Sequence, residues 1–225
     1  MNNIFFIAGT DTGIGKTEIT CAFMRMVRLK NQSVMGMKPI SAGTEDINGR
    51  RINRDVEMIM QEASYQKDVS IVNPYAFEDA IAPHISIEKM GCEINFEHIS
   101  NNLTELKKDV DYLFVEGAGG HEVPLGNSKT MSDLVSYLDI PIILVVGIRL
   151  GCISHTILTI QSMAYNNQKL FGWVANCIDP KMLAIEDNLA FLKQRISAPL
   201  IGAIPFQDPI ATSKVAAYLD WPAEL

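Results

Sequence analysis

Gly9-Thr10-Asp11-Thr12-Gly13-Ile14-Gly15-Lys16-Thr17 lies between a short apolar run, Ile4-Phe5-Phe6-Ile7-Ala8, and a stretch that places Ile19, Phe23 and Met26 on one helical side. Strand, glycine-rich turn, Gly-Lys-Thr and helix together describe a phosphate-binding loop. In such a loop the backbone N–H groups and the helix N-terminus face the phosphates. The lysine adds a point charge, and the threonine hydroxyl reaches a magnesium ion. The spacing departs from the strict motif. That motif places glycine at position 10, where this chain has Thr10, and the glycine stands one place earlier, at Gly9. An ordinary glycine turn capping a helix is the alternative, and the flanking strand and helix favour phosphate binding.

Outward from this loop, apolar runs recur at residues 34–38, 112–116, 141–146, 172–176 and 200–204, several of them apolar throughout. Strands buried on both faces of a parallel sheet have this composition. Helical patterns fall between them, at 17–29, 55–62, 96–108, 132–137, 153–165 and 185–196. Phe96, Ile99, Leu103 and Leu106 share one helical face, as do Ile185, Leu189, Leu192 and Ile196. Alternating strands and helices imply an α/β fold, an open, mostly parallel sheet with helices on both faces. Residues 69–93 have weak periodicity and contain Pro74, Pro83 and Gly91, which predicts a covering loop region.

A chain of 225 residues is expected to form one domain, spanning 1–225. A net charge of −7 without a dense basic run argues against a nucleic-acid partner. The longest apolar stretch, 140–148, is far too short for a membrane span, and no basic residue precedes the first apolar run as in a secretory signal. Cys21, Cys92, Cys152 and Cys177 show no metal-type or redox-type pairing, which fits reduced thiols in the cytoplasm. His84, His98, His121 and His155 have no zinc-ligand spacing among themselves.

In a parallel sheet of this kind the chemistry belongs where strands end. Lys38 closes the second run, in Met37-Lys38-Pro39-Ile40-Ser41-Ala42-Gly43, and is either a cation aimed into an anion site or a solvated strand terminus. Glu116 closes the third, ahead of Gly117-Ala118-Gly119-Gly120, where a phosphate-loop enzyme places its magnesium-associated carboxylate. The following glycines would let backbone N–H groups approach a ligand closely. Asp55 is a weaker candidate, since a helix N-cap accounts for it equally well.

Taken jointly, the glycine loop, Met-Lys-Pro-Ile-Ser-Ala-Gly, Val-Glu-Gly-Ala-Gly-Gly and the stretch from Val145 to His155 closely resemble the dethiobiotin synthetase family of the P-loop NTPases. The resemblance runs to Gly202-Ala203-Ile204-Pro205 and includes Asn73-Pro74-Tyr75 and Ala82-Pro83-His84. The longer glycine spacing of the first loop is typical of that family. The resemblance implies ring closure on 7,8-diaminononanoate with CO2, ATP and Mg2+, a step of biotin synthesis that releases ADP and phosphate. A carbamate formed on one amine attacks the γ-phosphate, and the second amine then closes the ring and expels phosphate.

It further implies that Lys38 and Lys16 stabilise developing charge and that Thr12 contacts the carbamate. Gly13, Ile14, Gly15, Lys16, Thr17 and Glu18 would wrap the phosphates, with Gly117, Ala118 and Gly119 beside them. Thr17, Asp55 and Glu116 would position magnesium. Asn176, Cys177, Pro205, Phe206 and Gln207 would surround the base, although Asn176 also reads as a turn residue. Gly119 and Ser41 would join the substrate contacts. The carboxylate of the diamine is expected at Gly151, Cys152 and Ser154 of the partner in a homodimer, where a helix start offers N–H groups. One position slips: the family serine expected four residues after the lysine is Ala42 here. We therefore expect either that Ser41 turns toward the carbamate or that backbone donors suffice, and the flexible Gly43 favours the first.

Two other classes share parts of the pattern. Partitioning and cell-division ATPase switches carry an extra lysine early in the loop, where this chain has Asp11 and Thr12. Cobyrinate-type amidases need a glutamine-hydrolysing domain, for which 225 residues leave no room.

Overall fold

The computed structural model describes residues 3 to 47, 49 to 207 and 212 to 221. Its described strands are β1 (Asn3–Gly9), β2 (Val34–Met37), β3 (Ile40–Ala42), β4 (Glu45–Ile47), β5 (Arg50–Ile52), β6 (Tyr75–Phe77), β7 (Tyr112–Glu116), β8 (Ile142–Ile148), β9 (Leu170–Cys177) and β10 (Leu200–Ile204). The helices are α1 (Lys16–Leu29), α2 (Arg54–Glu62), α3 (Val69–Val72), α4 (Pro83–Met90), α5 (Phe96–Lys107), α6 (Met131–Leu138), α7 (Cys152–Tyr165), α8 (Ile185–Arg195) and α9 (Thr212–Ala216).

Six strands form one sheet in the order β10-β9-β8-β1-β7-β2, and every pairing in it is parallel. β1 is the pivot. The chain leaves it toward β2, returns to β7 on the same side, and then crosses to β8 on the other. Such a reversal opens a crevice at the carboxyl ends of the central strands, and the glycine loop leaves β1 there.

Side-chain alternation divides β1 between two cores. Ile4, Phe6 and Ala8 join Met35, Met37, Leu113 and Val115 under Ile99, Leu103 and Leu106 of α5. Phe5 and Ile7 join Phe114, Val145 and Val174 under Ile19, Ala22 and Phe23 of α1. Near the carboxyl-terminal end Trp221 meets Phe5, Phe23, Tyr112 and Phe114 edge-on, with ring centroids 5.2–6.1 Å apart. Edge-to-face contacts of this kind suit the quadrupoles of aromatic rings.

The expected strands and long helices are present, with ends moved by one or two residues. Residues 69–93 differ from the expected covering loop, because they contain α3, β6 and α4. Each element is too short to set up a visible period, and Pro83 opens α4 at its first turn, where its missing N–H costs nothing. β6 pairs in parallel with β3, so this segment is held against the residues that follow Lys38. No described helix is long and apolar enough to cross a membrane.

Candidate active site

Local geometry explains the unusual glycine spacing of the phosphate loop. The Lys16 side chain folds back across the loop and donates from Nζ to the Asp11 carbonyl at 2.8 Å. A Cβ on Gly9 would stand 2.9 Å from both Cδ and Nζ of that lysine, so glycine there leaves room for the lysine to fold back. Gly13 and Gly15 have φ of 68° and 85°, in the left-handed region that glycine enters without penalty. Asn176, buried at the end of β9, donates from Nδ2 to the Ile14 carbonyl at 2.8 Å and clamps the loop from behind. The Asp11 carboxylate pairs with Arg149, just past β8 and ahead of α7.

Opposite the loop, Glu116 is fully buried. Its Oε1 accepts from Thr17 Oγ1 at 2.8 Å and from Lys38 Nζ at 2.6 Å. Its Oε2 accepts from Thr20 Oγ1 at 2.8 Å. Thr20 lies one helical turn beyond Thr17 on the same side of α1, a spacing visible in the sequence but not read as functional. Lys38, 5% exposed, also pairs with Asp55. The lysine therefore sits between two carboxylates and is not a solvated strand end. Asp55 does not cap its helix: Asn53 does, its Oδ1 accepting the N–H groups of Asp55 and Val56 at 3.1 and 3.4 Å.

The two lysines titrate in opposite directions. Burial lowers Lys16 to about 8, with the nearby Lys38 charge adding to the effect and Glu116 opposing it. Burial also acts against the charge of Lys38, but Glu116 and Asp55 outweigh it and raise its pKa. Burial raises Glu18.

Two joined cavities open here. The first, of about 240 Å³, is lined by Thr12, Gly13, Gly15, Lys16, Thr17, Glu18, Lys38, Asp55, Glu116 and Gly119. The second, of about 440 Å³, shares Thr12, Lys38, Asp55 and Gly119 and continues along Ala42, Ala80, Ile81, Ala82, Pro83, Ala118, Val123 and Pro124. A polar chamber lined by two lysines and three carboxylates thus leads into an apolar one, with Lys38 and Thr12 at the junction. The apolar wall from residues 80–83, leading into α4, and from Val123 and Pro124 was not legible in sequence, because its residues are ordinary apolar ones.

Three expectations change. Ser41 is fully buried and faces away from both cavities, its hydroxyl donating to Asn73 Oδ1 at 2.9 Å. Ala42, on the opposite face of the short strand β3, lines the apolar cavity, so the favoured turn of Ser41 toward substrate does not occur. Gly117 does not present its N–H to a ligand, since that group donates to the Ile7 carbonyl at 3.1 Å. The residue is glycine because a Cβ would meet the Phe6 ring at 2.9 Å. Cys152 buries its side chain in the core, and its N–H is not open to a ligand either, since it donates to the Arg149 carbonyl at 3.0 Å.

The remaining expected residues divide in two groups. Cys177 and Pro205, Phe206 and Gln207 lie at the carboxyl ends of the adjacent strands β9 and β10, on the side of the phosphate loop. Gly151, with φ of 96°, precedes α7, and Ser154 is exposed on it; neither they nor Cys152 line the two cavities.

The fold is that of the P-loop NTPases. A ParA family ATPase from Chlorobium tepidum TLS superposes with a TM-score of 0.57 at 12% identity, covering 96% of this chain and 90% of that one. The MinC:MinD cell division protein complex of Aquifex aeolicus gives 0.57 at 17% identity, covering 95% and 86%. A family model described as an AAA domain matches residues 3–214. Sequence relatives narrow the class. The ATP-dependent dethiobiotin synthetase BioD of Aromatoleum aromaticum is 42% identical over 218 residues, 97% of either chain. Proteins of the same name from Nitrosospira multiformis and Wigglesworthia glossinidia brevipalpis are 40% and 43% identical, each covering more than nine-tenths of both chains. The chain belongs to the ATP-dependent dethiobiotin synthetase family.

Proposed function

We propose that this protein closes the cyclic urea of dethiobiotin on 7,8-diaminononanoate, using CO2 and ATP and releasing ADP and phosphate. The observation that carries the reading is the placement of Lys38, held between Glu116 and Asp55 where the phosphate-loop chamber meets an apolar cavity. An aliphatic diamine fits that pairing of environments, its hydrocarbon against Ala80–Pro83 and Val123-Pro124 and its amines toward Thr12 and Lys38. A carbamate on one amine would then lie beside the γ-phosphate. Lys16, freed from the Asp11 carbonyl, and Lys38 would stabilise the charge that develops between carbamate and phosphate. Phosphoryl transfer depends on such positioning and charge more than on a protein nucleophile. The second amine would attack the activated carbon and expel phosphate.

The oxygens of Thr17, Asp55 and Glu116 form a hard donor set of two carboxylates and a hydroxyl, which fits Mg2+ held jointly with nucleotide phosphates. Bound there, Mg2+ would neutralise phosphate charge. Asn176, Cys177 and the 205–207 segment would receive the base. Asn176 keeps its carbonyl oxygen for that purpose while its amide holds Ile14.

We further infer a homodimer through α7. That helix leaves Leu158 and Tyr165 62% and 87% exposed, and Leu150 just before it is 90% exposed. Packing this face against a second copy would bring Gly151, Cys152 and Ser154 to the partner's site. The four free cysteines fit a reducing cytoplasm, and residues 1–225 are read as one domain.

Phosphate release tests the reading. It should require the diamine and bicarbonate together, because the carbamate is the attacking group. Brisk hydrolysis of ATP that is indifferent to the diamine would replace the synthetase with an ATPase switch.

A further inference from the structure

Lys38 lies one residue beyond the last paired residue of β2, outside the main sheet's ladder, and precedes a proline. Proline offers no N–H and restrains the residue before it to extended geometry. An ammonium on a flexible four-carbon stem is only as well placed as the backbone that carries it. Both backbone groups of Lys38 are gripped by a single neighbouring segment. Its N–H donates to the Val72 carbonyl at 3.0 Å. Its carbonyl accepts from Asn73 Nδ2 at 2.6 Å. The other end of the same amide, Oδ1, accepts the Ser41 hydroxyl at 2.9 Å. Asn73 is 5% exposed and Ser41 fully buried, so these bonds form away from competing water.

Only a neutral planar group with a donor at one end and an acceptor at the other satisfies both partners. Aspartate lacks the N–H, and alanine would leave a buried carbonyl and a buried hydroxyl without partners. The far end of the arm is fixed likewise. Asn53 donates from Nδ2 to the carbonyls of Ala42 and Gly43 at 3.1 and 2.7 Å while capping the helix that carries Asp55.

We propose that Asn73 is a positioning residue for the reaction. Through the Lys38 carbonyl and the Ser41 hydroxyl it fixes the backbone from which the Lys38 ammonium reaches the transferring group. Ser41 thereby serves as the anchor of Asn73. The proposal rests on the synthetase reading and adds a residue that touches neither nucleotide nor substrate.

A double-mutant cycle between Asn73→Ala and Lys38→Ala tests it, with dethiobiotin formation followed at saturating ATP, diamine and bicarbonate. Asn73→Ala should lower kcat by about tenfold to a hundredfold, the scale of a misplaced catalytic group. The KM for ATP should stay within about twofold, because the phosphate loop is untouched. In the Lys38→Ala background the same substitution should cost nothing further. An equal fold-loss in both backgrounds, or no loss in either, would overturn the proposal. Should Asn73→Ala fail to fold, Ser41→Ala removes only the anchor. It should lower kcat about threefold with the KM for diamine unchanged, and only while Lys38 is present. A rise in the KM for diamine with kcat unchanged would contradict it. If Lys38→Ala itself keeps full product formation, the role of Lys38 fails, and the result is distinct from a cycle that is merely additive.

Discussion

Lys16 and Lys38 face one cleft, yet Lys16 donates to a carbonyl of its own loop, whereas Lys38 is wedged between the carboxylates of Glu116 and Asp55. The first is held by backbone. Nine consecutive residues, with glycines at 9, 13 and 15, supply the turn, and the lysine folds back over Gly9. The second is held by residues distant in sequence: its ammonium by the carboxylates of Asp55 and Glu116, and its backbone by the Val72 carbonyl and the Asn73 side chain. Charge follows construction. Lys16 is buried close to another cation and its pKa falls to about 8, so it favours an arriving polyanion. Lys38 is already compensated, and its charge is secured before any ligand binds. One lysine answers to the nucleotide, and the other is a fixed part of the scaffold.

The sharpest way to break this contrast is to remove the fixed charge. Lys38→Ala should fold and bind ATP but lose about 10² to 10³ in turnover, as preorganised charge partners typically do. Glu116 retains the hydroxyls of Thr17 and Thr20, which limits the structural damage. Wild-type turnover at saturating substrate would show that Lys38 is only a structural counterion.

Gly15→Ala attacks the backbone side of the comparison. The new Cβ would adopt φ of 85° and stand 2.4 Å from Asn176 Nδ2. Left-handed strain alone amounts to about 1–2 kcal/mol, so ATP affinity measured by calorimetry should fall about tenfold or more. Unchanged affinity would mean that the loop is not the phosphate site.

A smaller effect separates the two lysines by pH. In nucleotide-free, metal-free protein Lys16 is neutral above about pH 8, while in the unfolded chain it stays charged to about 10.5. Between those values the unfolded state binds more protons, so this group's contribution to stability rises with pH; below 8 its burial penalty is fully present. Phosphates restore the charge. ATP binding at pH 9 should therefore take up close to one proton, read from calorimetry in buffers of different ionisation enthalpy, and almost none at pH 7. Equal uptake at both would contradict the assignment.

The same division explains what could be read without a structure. The phosphate loop and the six strands of the main sheet are local patterns of apolar runs, glycines and a Gly-Lys-Thr triplet, and each announces itself within ten residues. Lys38 and Glu116 were findable because strand ends are where a parallel sheet keeps its chemistry. The partners of Lys38 were not. Asn53 and Asn73 carry no sequence mark of that role until the chain brings them to positions 38–43, and Ser41 reads as a ligand until the pleat of β3 turns it inward. Gly117 looks like a ligand-facing glycine, and only the position of the Phe6 ring shows why it lacks a side chain. The elements within 69–93 escaped because each is eight residues or fewer, shorter than the window in which a period can be seen.

The central claim is that the phosphate-loop chamber and the apolar cavity work on one substrate, with Lys38 at their junction. Incubation with ATP, Mg2+, 13C-labelled bicarbonate and 7,8-diaminononanoate, followed by mass spectrometry, tests it most directly. The account predicts dethiobiotin carrying one 13C in its urea carbon, formed together with one ADP, and its near-absence with Lys38→Ala. ATP consumed with no labelled cyclic product, or product formed at an undiminished rate by Lys38→Ala, would contradict it.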